Sequence, residues 1–257
     1  MFSSAFKLLL VSLLGLSSSV WSSEVVRVCG VDWPPFSFVE SKSKVIERGI
    51  SVELYREAFS RMGKKVEFHH VPWGRCEKHV LSGKYDAILD SVKVAGLINT
   101  SIPTAFYPLG AYVNKGSQLT EFSWERVNNQ RAGLVINYHY ADIILSNQDW
   151  KVVPAETEEK LLTLLGKERV DFAILDYFSV VKLSEKVGIE TRLLQPLIVS
   201  QNLYLCFNPK HKSLITSLEV KIKEMLDDGS IDALYKRYSI KTYTEIYNEV
   251  KSITEPD

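Results

Sequence analysis

Trp33 and Trp73 each stand beside a proline, Pro34 and Pro72, directly after a run that reads as a strand. Flat aromatic faces bury much area at little entropic cost and attract cations, so such a pair suits the walls of a small-molecule cleft. The competing reading is that either tryptophan fills core. Asp176 ends the apolar run Phe172-Ala173-Ile174-Leu175; a carboxylate there either caps the segment starting at Tyr177 or meets a ligand. The turn Asn137-Tyr138-His139-Tyr140 precedes a helical pattern, so its backbone N–H groups could receive an anion. His139 matters there for its loop more than for its imidazole. Asp90, Lys93, His139 and Asp176 are also the titratable groups that acid–base chemistry would draw on. The chain holds no nucleophile motif, metal-ligand spacing or phosphate loop, so no metal or cofactor is expected and catalysis is not the favoured reading.

The elements that must position these residues read as α/β. Val25 to Val31 is a β-branched run that stops at Pro34-Pro35, and Gly49 to Met62 spaces its apolar residues helically up to Gly63. Lys65 to Val71 alternates like a strand, Cys76 to Leu81 reads as a helix, and Tyr85 to Leu89 as a further strand. The rhythm restarts with Arg131 to Ile136, Ala141 to Ser146, Lys151 to Pro154, Thr157 to Gly166 and Val170 to Asp176. Such repeated alternation predicts parallel sheet flanked by helices, here in two lobes. Leu109 to Asn114 and Leu203 to Phe207 are extended runs that bracket the second copy, which predicts two crossings between lobes. Both tryptophans would then face the C-terminal edge of a sheet, the usual ligand edge of such folds. Helical patterns over Leu214 to Leu226, Ile231 to Tyr238 and Thr242 to Ile253 complete the chain, the last as an amphipathic tail.

The 257 residues are 46% hydrophobic and 24% charged, which excludes a disordered or low-complexity chain. Equal counts of 31 basic and 31 acidic residues exclude capture of nucleic acid or an acidic membrane by bulk charge. Residues 1–22 carry Lys7, the apolar run Leu8 to Leu16 and then small residues, the pattern of a secretory signal. No cysteine stands at the cleavage site and no later stretch is apolar enough to span a bilayer, so a soluble exported chain is expected, not a lipoprotein. Cys29, Cys76 and Cys206 are too scattered for a disulfide framework or a metal site. They are expected to be buried small hydrophobes, with a single disulfide among them left open.

Five segments in order carry a resemblance: Asp32-Trp33-Pro34-Pro35-Phe36, Gly83-Lys84-Tyr85-Asp86-Ala87-Ile88, Phe106-Tyr107-Pro108-Leu109-Gly110, Val170 to Asp176 and Asp228-Gly229-Ser230-Ile231. Together they resemble a periplasmic solute-binding protein of family 3, a family that includes polar amino-acid receptors of ABC importers. The resemblance implies a two-lobed type 2 fold that closes about a hinge on its ligand, with residues 23–108 and 199–257 in one lobe and 109–198 in the other. It implies a monomer whose partners are a small-molecule ligand and an inner-membrane ABC permease or a receptor. It matches Trp33 and Trp73 to positions that stack on ligand and Asp176 to one that takes its ammonium.

One departure stands out. Family members that bind α-amino acids carry an arginine after this strand that grips the ligand carboxylate bidentately. Here the segment reads Asp90-Ser91-Val92-Lys93-Val94-Ala95-Gly96-Leu97-Ile98, with Ile98 near the arginine position. Lys93 and Arg75 are the nearby cations, and neither reproduces the fork at its place. Asp90 adds a negative charge. A ligand with cationic character, or one lacking an amino-acid head group, is therefore expected. The candidate ligand-binding set is Asp32, Trp33, Trp73, Arg75, Asp90, Ser91, Lys93, Asn137, Tyr138, His139, Tyr140 and Asp176. Pro72-Trp73-Gly74-Arg75 also resembles a branch often encoded without an importer, so a sensor module and a dehydratase-like enzyme stand as alternatives.

Overall fold

In the computed structural model residues 25–40, 43–136, 138–238 and 240–254 are described. The expected export signal, residues 1–22, and Asn137 of the expected site lie outside the described residues. The strands are β1 (Val26–Gly30), β2 (Phe38–Val39), β3 (Ile46–Arg48), β4 (Val66–His70), β5 (Ala87–Ser91), β6 (Ile98–Asn99), β7 (Ala105–Asn114), β8 (Arg131–Val135), β9 (Lys151–Ala155), β10 (Phe172–Asp176) and β11 (Thr191–Phe207). The α-helices are α1 (Ile50–Arg61), α2 (Trp73–Leu81), α3 (Asp142–Leu145), α4 (Glu158–Gly166), α5 (Val180–Val187), α6 (Lys212–Asp227), α7 (Ser230–Arg237) and α8 (Tyr243–Val250).

One sheet runs β4-β1-β5-β11-β7-β10-β8-β9, with β6 also on β11. Its ends are parallel, β4-β1-β5 on one side and β10-β8-β9 on the other, as the repeated strand and helix alternation predicts. The centre is antiparallel: β7 and β11 pair from Thr191↔Asn114 to Leu203↔Ala105, with a register shift between Leu194 and Val199. β11 is 17 residues long, reaching well before the expected run from Leu203. Those two strands are the two crossings.

Each half of the sheet has its own apolar packing. Val28 of β1, Leu54 and Phe59 of α1, Leu205 of β11, Ile222 of α6 and Tyr235 of α7 share one cluster. Around the other half, Val113, Phe122, Trp150 and Phe172 pack on one face and Leu161, Leu165, Ala173 and Val180 on the opposite face. Tyr107 touches both the first cluster and the second. α8 is opened by a capping box between Thr242 and Glu245 and buries Tyr243, Ile246 and Val250, so the amphipathic tail belongs to the first cluster.

Local chemistry sets the entries to the cleft. α1 begins after Gly49, whose φ of 133° and approach to Phe36 leave a Cβ only 2.2 Å from the Phe36 carbonyl oxygen, so only glycine fits. β5 starts at Ala87, two residues later than the alternation suggests, and Asp86 just before it pins the neighbouring segments. Its carboxylate accepts the Arg27 N–H at 2.8 Å and pairs with Lys210 at 3.0 Å and His211 at 2.8 Å.

The expectation for the cysteines is corrected in part. Cys29 of β1 and Cys76 of α2 form a disulfide across 47 residues of sequence, while Cys206 is free and buried. The pairing arises because α2 packs back on β1 and puts the two sulfur atoms together in one buried cluster. Sequence separation hides that neighbourhood.

Candidate functional site

A cavity of about 110 Å³ lies where the two halves of the sheet meet. One half contributes Asp32, Trp33 and Ser37 from the loop after β1, Trp73 at the first position of α2, and Leu89, Asp90 and Val92 at the end of β5. Tyr107 of β7 and Leu203 of β11 line it from the central strands. From the other half come Tyr138 and His139, after β8, and Glu158, the first residue of α4. The halves touch around it. Trp33 Nε1 donates to Asp176 Oδ2 at 3.0 Å, His139 Nε2 lies 3.0 Å from Glu77 Oε2, and Phe36 meets Phe178 edge-on at 5.2 Å. Phe36 also stacks on Trp33 at 4.2 Å, which leaves the other indole face for the cavity.

The walls are aromatic and acidic. Asp90 is buried with its backbone at φ 50°, a left-handed conformation that aspartate tolerates better than most side chains. Ser51 Oγ donates to its Oδ1 at 2.8 Å, while Oδ2 is buried without a hydrogen-bond partner. Burial pushes its carboxyl up to about 7, against the opposing pull of the Ser51 bond. Glu158 is pushed up to about 8, first by burial and then by the charges of Asp176 and Glu159. Among the described residues no lysine or arginine stands on the wall. Among the described residues, no three His, Cys, Asp or Glu side chains gather as a metal site would need.

A model of the bacterial extracellular solute-binding proteins, family 3, matches residues 26–241. The chain belongs to that family. Its fold is shared by a probable amino-acid ABC transporter extracellular-binding protein from Bacillus subtilis, at 17% identity and a TM-score of 0.72, covering 84% of this chain and 97% of that one. An arginine third transport system periplasmic binding protein from Legionella pneumophila is similar at 19% identity and a TM-score of 0.69, over 83% and 98% of the two chains. A histidine kinase sensor domain described as similar to periplasmic binding proteins gives 18% identity and a TM-score of 0.72, over 83% and 95%. A search of proteins with curated functions returned no match. The architecture is thus the α/β, two-lobed periplasmic binding protein fold that the five ordered segments imply.

Within this family 3 fold, the structure brings Asp32, Trp33, Trp73, Asp90, Tyr138 and His139 of the expected set to one cavity. Asp32 Oδ1 also accepts the Val39 N–H at 2.8 Å, which fastens the loop that carries Trp33. The other described members of the set lie off the wall, each for a local reason. Arg75 is exposed on α2. Lys93 is exposed, its Nζ 5.6 Å from the centre of the Tyr204 ring. Ser91 is buried and donates to the Val92 carbonyl at 2.9 Å. Tyr140 is core, its hydroxyl accepting the Val135 N–H at 3.0 Å. Asp176 is fully buried behind Trp33, and its Oδ2 also accepts the Ser179 N–H at 2.8 Å, so the capping half of the expectation is what its geometry displays. The helix after the Asn137 to Tyr140 turn is a single turn with Asp142 in it, which already offsets its positive end and makes a poor anion seat.

Ile98, at the expected arginine position, lies in β6 paired with Phe207 and packs on the first cluster. Asp90, Lys93, His139 and Asp176 do not converge, since Lys93 and Asp176 are off the cavity wall. Sequence reasoning missed Tyr107 and Glu158. Tyr107 sits inside one of the five family segments, which was its signal. Glu158 follows the Thr157 cap in a first turn where acids are ordinary dipole partners, so nothing singled it out.

Proposed function

We propose that this chain is a periplasmic solute-binding protein, released from a signal at residues 1–22, that captures a small polar or cationic solute between two lobes and delivers it to an inner-membrane ABC-type permease. The lobes are residues 23–108 with 199–257 and residues 109–198, joined by a hinge where β7 and β11 cross. Separate apolar clusters support that division: Phe106 and Leu203 pack in one, Leu109 and Leu194 in the other, with Val199, the first residue past the boundary, still packed on the second. The observation that carries the function is the cavity itself, walled by aromatic side chains from elements of both halves. Among the described residues no helix is long and apolar enough to cross a membrane.

Thermal shift across amino acids, polyamines, peptides and organic acids tests the reading. A bound solute at 100 times its Kd should stabilise the chain by about 2.7 kcal/mol. It should also change tryptophan fluorescence through Trp33 and Trp73, and a flat response across all four classes overturns the reading. A second reading, an input module docked on a membrane receptor, is favoured by the similarity to a kinase sensor domain. A complex of the loaded chain with a receptor ectodomain instead of a permease would select it.

A further inference from the structure

We infer that the cavity takes an organic amine carrying no carboxylate, with its ammonium on Asp90 Oδ2 and its far end at Glu158. This deepens the solute-binding reading and rests on it. Three observations carry it together. First, Asp90 is only 8% exposed, lines the cavity, and keeps one oxygen buried without a hydrogen-bond partner while Ser51 satisfies the other. A buried acceptor left idle at a cavity wall is what a ligand donor would satisfy. Second, the carboxyl groups on the wall come from both sides, Asp32 and Asp90 from one half and Glu158 from the other. Among the described residues the wall has no lysine or arginine, and His139 is held by Glu77 at 3.0 Å. A ligand carboxylate entering here would lose its water and find no cation, whereas an ammonium finds carboxylates and hydrogen-bond acceptors.

Third, much of the remaining wall is aromatic, from Trp33, Trp73, Tyr107 and Tyr138, together with apolar residues such as Leu89 and Leu203. Aromatic faces attract cations and cover methylene chains, which suits an organic cation better than a bare metal ion wanting six or more oxygens. Acids contributed from both halves, on a wall otherwise largely aromatic and apolar, match a molecule with more than one positive pole.

Matched pairs that differ only by the α-carboxylate give the test: agmatine against arginine, cadaverine against lysine and histamine against histidine. Titration calorimetry on the mature chain should show an amine binding roughly tenfold or more tighter than its parent amino acid. Asp90→Asn should weaken that amine by roughly tenfold or more with the circular dichroism unchanged. Glu158→Gln, a change on a partly buried first helical turn, should weaken cadaverine more than the singly charged pentylamine. If a parent amino acid or another carboxylate-bearing solute binds as tightly as any amine, the inference falls and the solute-binding reading stands. Amine binding indifferent to both substitutions also overturns it. Silence from amines, amino acids, peptides and organic acids alike overturns both readings.

Discussion

Asp90 is the penultimate residue of β5 in one half of the sheet and Asp176 closes β10 in the other, and both are buried carboxylates with one oxygen lacking a hydrogen-bond partner. Their second oxygens have different employment. Asp176 Oδ2 accepts from Trp33 Nε1 across the cleft and from the Ser179 N–H of its own loop, so it fastens the halves and caps the turn into α5. Asp90 Oδ1 accepts one bond from Ser51, and the residue lines the cavity from a left-handed backbone. An acid at a strand end is therefore not a binding group by position. What the chain itself donates to it decides whether it fastens structure or waits for a ligand.

The largest expected effect is a pH dependence at Asp90, in the direction that burial also gives the Asp176 carboxyl. Asp90 has its carboxyl raised from 3.8 to about 7 by burial, so folding penalises its ionised form. The groups facing it are Ser51, Tyr55 and Tyr235, and neither tyrosine ionises in this range because burial raises both. The unfolded chain releases its proton near 3.8 and the folded chain near 7, so stability is full below 3.8 and falls as pH rises through 7. Asp90→Asn removes that loss and keeps a side chain tolerant of the left-handed backbone. At about 1.4 kcal/mol per pH unit, the variant should be more stable than wild type by on the order of 4 kcal/mol at pH 8, with no gain at pH 3. Urea denaturation across that range checks it. A gain that does not vary with pH would put the cause in backbone strain instead of charge.

Asp176→Ala should move stability the other way. It strands the buried Ser179 N–H and the partly buried indole N–H of Trp33, at roughly 2–4 kcal/mol for the two donors. Asp176→Asn keeps an acceptor for both and should cost much less. If the alanine variant is as stable as wild type by urea denaturation, the fastening role is wrong and the contrast between the two aspartates collapses.

This contrast marks what the residue order could carry. Periodicity reports which face an element buries, and so the alternation of strands and helices, the two crossings and the amphipathic tail were all legible. The antiparallel centre was not, because an apolar strand reads alike whichever way its partner runs. At the site, strand-end tryptophans were legible because proline and a stopped β-run mark a loop mouth, and Trp33 and Trp73 do reach the cavity. Glu158 was illegible because its charge has an ordinary explanation at a helix start. The Cys29–Cys76 bond was hidden likewise, since its 47-residue span says nothing of α2 folding back on β1. Asp176 shows a subtler limit: the resemblance describes a position, while the bond to Trp33 appears only in the structure.

The smallest expected effect concerns the second polar contact across the cleft. His139 and Glu77 approach to 3.0 Å, but their side chains are 43% and 24% exposed, so water and salt weaken the pair. A double-mutant cycle of His139→Ala with Glu77→Gln, read by urea denaturation, should give a coupling below about 1 kcal/mol that shrinks as salt is added. The bond from Trp33 to Asp176, ending on a fully buried carboxylate, should show little of that salt dependence. A His139–Glu77 coupling of about 2 kcal/mol or more, unmoved by salt, would mean that the cleft is fastened at its rim as firmly as at its buried aspartate. Closure would then rest on the mouth of the cavity, and Asp176 would lose its distinction as the contact that holds the two halves together.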